Sequence, residues 1–289
     1  MQKTLTTKLV ATTIGLVLIV TLIFCIAPVQ TAHAEEVVWE KVDYENYLTY
    51  EDYIGADAYY GKINEMPNIR KYNYLYVFIV GAGGMGGASA DGKSIGYGGG
   101  GGAFVVIKLN IQKADSIHFL LGKGGGKFEF SENDDYSTGD GCPSAVLISK
   151  DRTSTTPFIL EGATCVGGKL GNSSAPGNGG FVENAEDIPT NSLSQIIYSC
   201  NGVAGGQASH SLSVDLGFRT EYFIYRPTGA NPSGKGGGAS VYHRGGDGGV
   251  LYKNGSDGSM GAGGGGAGKG ATQGGYGGDA YMEIYGSNM

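Results

Sequence analysis

Charge is scarce in this sequence: Asp, Glu, Lys and Arg make up 16% of 289 residues, and the balance is acidic at −7. So few cations supply no basic stripe to hold a phosphate backbone, which excludes nucleic acid as a partner. Proline is rare too, at 8 residues. The glycine repeats contain almost none of it, which disfavours a collagen triple helix. Few runs have the length and period of an amphipathic helix. Cysteine numbers 4, and no pair has zinc-site spacing.

The first 34 residues read as a signal peptide. Lys3 and Lys8 precede the apolar run IGLVLIVTLIF, and Ala32 and Ala34 form a small-residue cleavage site before Glu35. Cleavage is expected after Ala34; an uncleaved membrane anchor is the alternative, since the apolar run with its flanks approaches a membrane span. Phe24 stands where a lipoprotein signal before Cys25 would have a small residue. Either way the expected location is secreted or cell-surface. Cleavage removes two lysines and no acid, taking the net charge from −7 to −9. Three cysteines remain, Cys142, Cys165 and Cys200, leaving open one disulfide plus a free thiol, or three buried thiols.

What the chain has in abundance is glycine: 55 residues, all but Gly15, Gly55 and Gly61 lying after residue 80. In YLYVFIVGAGGMGG, from Tyr74 to Gly87, Gly81, Gly83 and Gly86 spell the GxGxxG dinucleotide fingerprint. At one glycine in four, roughly three such matches arise by accident in 200 residues. The fingerprint also needs a helix after its third glycine, whereas this chain runs on through GYGGGGGAFVV to another strand. No nucleotide cofactor is expected, and none of any kind. GKSIG around Ser94 resembles a nucleophile elbow without its helix. GGGGAGKG, Gly263 to Gly270, has glycine where a P-loop needs Ser or Thr. His118, His210 and His243 are far apart in sequence. Glu132, Asp134, Asp135 and Asp140 crowd one turn without the EF-hand spacing and read as an exposed acidic loop.

Residues 35–73 form an acidic, tyrosine-rich segment in which Tyr44, Tyr47, Tyr50 and Tyr53 recur every third residue. That spacing predicts one face of a helix or of an extended left-handed strand, packed on the domain that follows or presented as a partner-binding aromatic stripe. From 74 to 289 short apolar runs alternate with glycine tracts: YLYVFIV, GGAFVVIKLNI, SIHFLLG, SAVLISK, PFILEGA, QIIYSC, TEYFIYRP, GVLYK and DAYMEIYG. These read as strands of a mainly β fold, a β-sandwich of jelly-roll or TNF-like type. Within the tracts glycine recurs every third residue, as at Gly81, Gly84 and Gly87, Gly96, Gly99 and Gly102, and Gly255, Gly258, Gly261 and Gly264. Period three is the repeat of polyproline II, whose backbone groups must find partners alongside. The tracts are therefore expected to pack as polyglycine II helices inserted in the β scaffold.

The order of strand, GAGGMGG, GYGGGGGAFVVIKLNI, SIHFLLGKGGG, GAGGGGAGKG and closing GGDAYMEIYG resembles the glycine-rich domains of tailed-phage fibres and adhesins. More loosely it is similar to the extracellular glycine-rich domain of the anaplastic lymphoma kinase and leukocyte tyrosine kinase receptors. The resemblance spans about residues 74 to 286. It implies a β scaffold whose loops present a surface to a cell-surface receptor or glycan. An export signal sets this chain apart from phage structural proteins, and it has no kinase region, so a secreted or surface-displayed bacterial relative fits best.

The expected function is a non-enzymatic adhesion or recognition module. The alternative is a self-associating structural subunit of an extracellular matrix or filament, with ice binding as a third class. The loops KFEFSENDDYSTG, GNSSAPGNGGFVENAEDIPTNS and ASVYHRGG carry aromatics and amides suited to contact. They nominate Phe128, Phe130, Tyr136, Phe181, Tyr242, His243 and Arg244 as ligand-binding residues.

Overall fold

Alternating apolar runs fold as antiparallel strands in the computed structural model, which describes residues 39–53, 55–88, 93–127, 139–151, 153, 159–184, 193–230 and 234–289. In chain order the strands are β1 (Trp39–Lys41), β2 (Thr49–Tyr53), β3 (Ala56–Lys62), β4 (Tyr74–Val80), β5 (Phe104–Asn110), β6 (Ser116–Gly122) and β7 (Ser144–Lys150). They continue with β8 (Ile159–Cys165), β9 (Val182–Asn184), β10 (Ser194–Cys200), β11 (Leu212–Asp215), β12 (Thr220–Phe223) and β13 (Tyr281–Ser287). A single helical turn, α1 (Pro67–Arg70), precedes β4. The order β1-β13-β4-β5-β10 makes a five-stranded sheet, β2-β3-β6-β7-β8-β9 a six-stranded one, and β11-β12 a separate hairpin. The signal-peptide residues lie outside the described part.

The scaffold is a β-sandwich, and the side-chain period of two explains its faces. Leu75, Val77 and Ile79 of β4, Val105, Ile107 and Leu109 of β5, and Met282 and Ile284 of β13 point to one side. There they meet Ile117 and Phe119 of β6, Val146 and Ile148 of β7, and Ala163 and Cys165 of β8. The opposite side of the five-stranded sheet is also covered. Tyr76, Phe78, Val80, Phe104 and Val106 form a second core with Val214, Leu216, Phe218 and Phe223 of the β11–β12 region and with Val241 and Tyr242. Burial on both faces is why YLYVFIV is apolar nearly throughout.

Residues 39–73 belong to the same compact unit as the glycine-rich part. β1 pairs with β13, and β3 pairs with β6. Val42, Leu48, Ile63, Met66, Ile69 and Tyr72 enter the sandwich core. The tyrosines spaced by three do not share one helical or extended face, because a turn and then β2 divide them. Tyr44 packs on Tyr59 and Phe119, while Tyr50 and Tyr53 are about half exposed. GVLYK is likewise corrected: Leu251 and Tyr252 form a turn, with no partner strand beside them among the described residues.

The glycine tracts pack as polyglycine II rods, and the rod 261–268 shows how the period of three works. Gly263 and Gly266 donate to Gly238 and Lys235; Gly264 and Ala267 donate to Gly84 and Gly87; Gly265 and Gly268 donate to Ser256 and Lys253. Its carbonyls accept in the same rotation. Gly261, Gly264 and Ala267 accept from Gly102, Gly99 and Gly96; Ala262 and Gly265 from Gly278 and Gly275; Gly263 and Gly266 from Gly246 and Gly249. One rod is thus surrounded by six, donating to three and accepting from three. The rod 96–103 is a second such centre, bonded to segments beginning near 81, 166, 177, 203, 234 and 261. Each residue turns its N–H by a third of a revolution, so every neighbour is met once per three residues. The frame that runs from Gly255 through Gly264 is interrupted in space: Met260 (φ 46°) and Gly261 (φ 79°) reverse the chain, giving two rods instead of one.

The fingerprint glycines serve this packing. Gly81, Gly83 and Gly86 donate their N–H groups to Ala103, Gly278 and Gly275.

Candidate functional site

A rod is anchored where it leaves a strand and free where it turns. At the sandwich end Gly81 meets Ala103 and Gly102 meets Gly261; further out Gly87 meets Tyr97 and Gly96 meets Ala267. The segment from Gly261 to Gly268 therefore advances by about 22 Å away from the sandwich. Beyond it lies a turn whose residues Val250, Leu251 and Tyr252 are 49%, 53% and 73% exposed. The turn is closed by Lys253 N–H to the Val250 carbonyl (2.9 Å) and tied down by Tyr252 N–H to the Lys269 carbonyl (2.8 Å). Tyr252 has φ 60°, uncommon for a bulky residue. Three successive exposed apolar side chains at the end of a densely hydrogen-bonded bundle make a contact surface of fixed shape. The sequence signal for it was GVLYK standing between two glycine tracts, which an apolar strand reading conceals.

The nominated residues are dispersed. Phe128, Phe130 and Tyr136 lie outside the described residues, as do Glu132, Asp134 and Asp135. Asp140 accepts from Lys169 Nζ (3.1 Å) and the Leu170 N–H (2.8 Å). Phe181 is 47% exposed just before β9, on the six-stranded sheet. Tyr242, His243 and Arg244 occupy a turn held by Ser240, whose Oγ accepts from the Tyr242 and His243 N–H groups at 3.2 and 2.9 Å. Arg244 forms a bidentate pair with Asp247, both contacts 3.0 Å. The Tyr242 ring packs edge-on against Tyr281 (4.9 Å), Phe223 (5.6 Å) and Phe104 (6.0 Å).

A pocket of about 340 Å³ opens beside this turn, lined by Phe78, Glu221, Phe223, Ile224, Arg226, Tyr242, Glu283 and Tyr285 among others. Glu283 is paired with Lys41 (2.7 Å), and Glu221 with Arg219 (2.7 Å). The Tyr242 hydroxyl and Arg226 Nε are buried and have no hydrogen-bond partner among the described residues. Burial first, then the charge of Glu283, pushes the Tyr242 hydroxyl well above the ordinary tyrosine range.

A smaller cavity, about 190 Å³, is lined by Cys200 with Tyr198, Ser209, His210, Leu212 and Ser240. Burial raises the Cys200 thiol, the reverse of what activates a nucleophile. Burial also lifts Cys142 to about 11 and Cys165 to about 12. All three thiols are free. Raised pKa values leave little thiolate at pH 8, so Cys142 and Cys165 are expected to react with a disulfide reagent only after denaturation. Reaction of either thiol in the native protein at a rate within tenfold of the unfolded rate (about 1.4 kcal/mol of protection) contradicts this placement. His118 stacks on Tyr60 at 6.0 Å, and its pKa is lowered by burial.

Among the described residues no group of three or more His, Cys, Asp or Glu side chains is placed to hold a metal ion. No helix among them is long and apolar enough to cross a membrane. Residues 66–288 match the family described as a glycine-rich domain. No curated protein is similar enough to the chain to match it.

Proposed function

From the chain's membership of the glycine-rich domain family, which follows from the match over residues 66–288, we propose an exported, non-enzymatic surface protein that acts as an adhesion or recognition module. The likeness to the glycine-rich domains of tailed-phage fibres and adhesins, and to those of the two receptor kinases, is part of this proposal. The leader is removed after Ala34 and the body is secreted or held at the cell surface. Its partner is a cell-surface receptor or glycan. The observation that supports the reading is the exposed Val250–Leu251–Tyr252 turn at the far end of the six-around-one rod packing. A rigid support lowers the entropy lost when such a turn is captured.

The test is the combined variant Val250→Ser, Leu251→Ser, Tyr252→Asn, in which asparagine tolerates the positive φ. Binding to whole cells and to immobilised glycans is expected to fall by at least ~10-fold, the loss of a single apolar hot spot or more. Thermal stability should stay where it was. Light scattering on the wild type should find a monomer; polymers that grow with concentration would instead support the structural-subunit reading.

A further inference from the structure

We propose that the turn at the far end of the rods docks on an anionic lipid bilayer: Val250, Leu251 and Tyr252 enter the headgroup region, and Lys235, Lys253 and Lys269 hold the phosphates around them. The inference rests on the reading of this turn as the contact surface, and names what it touches. Two observations carry it. The first is the apolar tip itself, whose three side chains are all about half exposed or more. The second is the set of cations beside it. Lys253 closes the turn through its N–H to the Val250 carbonyl, and the Lys269 carbonyl accepts from the Tyr252 N–H. Lys235 belongs to the adjoining rod, where the Gly234 N–H donates to the carbonyl of Gly249, the residue before Val250 (2.7 Å). Lys253 and Lys269 are exposed and Lys235 is half-buried. Among the described residues none of the three is in an ion pair.

The placement of charge selects the partner. The chain as a whole is acidic, yet Glu40, Glu51, Asp52 and Asp57 stand on strands of the sandwich, and the rod 261–268 alone sets that end about 22 Å from the turn. Charges are screened over about 10 Å in 0.1 M salt, so the sandwich carboxylates do not repel an anionic surface that the tip approaches. On the rods that flank the turn, Asp247 is paired with Arg244, and Asp257 comes four residues after Lys253. A polyanionic chain in solution satisfies the lysines but leaves Val250 and Leu251 in water, since neither side chain offers a donor or an acceptor. A neutral apolar surface covers the tip and leaves the lysines unmatched. An anionic bilayer meets both needs. The aliphatic side chains pass below the headgroups, the tyrosine ring stays among them, and the lysine stems extend so that their ammonium groups reach phosphate. The hydrogen-bonded rods hold the tip in shape, so little freedom is lost on docking.

Flotation with lipid vesicles is the measurement, using the exported protein with its leader removed. Vesicles of phosphatidylcholine alone are compared with an equal mixture of phosphatidylcholine and phosphatidylglycerol. Affinity for the mixed vesicles is expected to be at least ~30-fold higher, as three lysines near an anionic surface contribute about fivefold each, and to fall as salt is raised. The combined variant Lys235→Gln, Lys253→Gln, Lys269→Gln should lose most of that preference. Val250→Ser, Leu251→Ser, Tyr252→Asn should bind the mixed vesicles at least ~10-fold more weakly, with both melting temperatures unchanged. The lipid comparison in wild type judges the proposal even if a variant fails to fold. Wild-type binding that is absent or equal on the two kinds of vesicle overturns it, as does binding unchanged in either folded variant. Binding to immobilised heparin that needs the lysines but not residues 250–252, without flotation, identifies an acidic polysaccharide and also overturns it. Cell binding that depends on the turn, without flotation, removes the lipid contact and keeps the contact-surface reading. Flotation that depends on both sets of residues, with no binding to cells, keeps the lipid contact and removes the adhesion reading.

Discussion

Gly263→Ala is expected to destabilise the protein by about 3 kcal/mol or more, the upper range for forcing one extra carbon into a packed interior. Gly263 lies in one of the two rods that have six neighbours, and a Cβ there would overlap the carbonyl oxygen and carbon of Gly99 and press on the Gly100 carbonyl. All three atoms are backbone, held in place by their own hydrogen bonds, and cannot swing aside as a side-chain tip would. Ordinarily a Gly→Ala change at a negative φ stabilises a protein by about 0.4–1 kcal/mol, because the unfolded chain loses freedom. Crowding has to overcome that gain and is large enough to reverse its sign. Two comparisons isolate the cause. Gly206 has φ 78° but no heavy atom within 4 Å of an added Cβ, so Gly206→Ala should cost only about 1–2 kcal/mol, from conformation alone. Ala262 and Ala267 are fully buried on the same rod as Gly263, so the bundle accepts a methyl group where its neighbours leave room. Guanidinium unfolding of the variants is the check. If Gly263→Ala proves as stable as Gly206→Ala, the close approach of the rods is wrong.

Phe104→Ala should cost about 3–5 kcal/mol, the usual loss for a buried phenylalanine. The side chain is 1% exposed and is packed by Tyr198, Phe223 and Tyr242. It therefore joins the five-stranded sheet to the β11–β12 hairpin and to the Ser240–Arg244 turn together. The loss should be visible at a distance. Trp39, the single tryptophan, stacks on Tyr285 at 4.7 Å and lies 5.2 Å from Phe218 beside the hairpin. Loosening the hairpin exposes Trp39, so its emission should move to longer wavelength in Phe104→Ala well before global unfolding. Leu160→Ala, at a side chain 52% exposed on the other sheet, should change stability by no more than about 0.5 kcal/mol. An unshifted Trp39 emission in Phe104→Ala would mean that the hairpin docks without this contact.

Strands with a sharp pattern were legible. SAVLISK and YLYVFIV coincide with β7 and β4, because β-branched and aromatic residues bounded by glycine have few other ways to be buried. The strands in residues 39–62 were not. In β2 the sequence TYEDY is largely exposed, so no apolar alternation marks it, and its pairing with β3 is the main reason it is extended. The tyrosines spaced by three had a period but no common face, since a turn separates Tyr44 from Tyr50. GVLYK failed in the opposite direction. Its composition is that of a strand, yet glycine rods on both sides hold it where no strand can pair.

The site was harder still to read. Tyr242 was nominated for exposure and instead has a buried hydroxyl, because the hairpin that covers it is distant in sequence. Glu221, Arg226 and Glu283 gave no local signal, as they come together only when the β11–β12 hairpin packs across the face of the sheet that contains β13. Glycine at every third position determined that rods would form and that their hydrogen bonds would run outward, since this conformation has none within itself. Which rods become neighbours, which glycine sits at a six-fold centre and which turn is left exposed were decided only by tertiary structure. A local period carries no address: every tract offers the same donors and acceptors, and only the strands that anchor the tract ends, β4, β5, β8, β10 and β13 among them, select the pairing that buries their side chains.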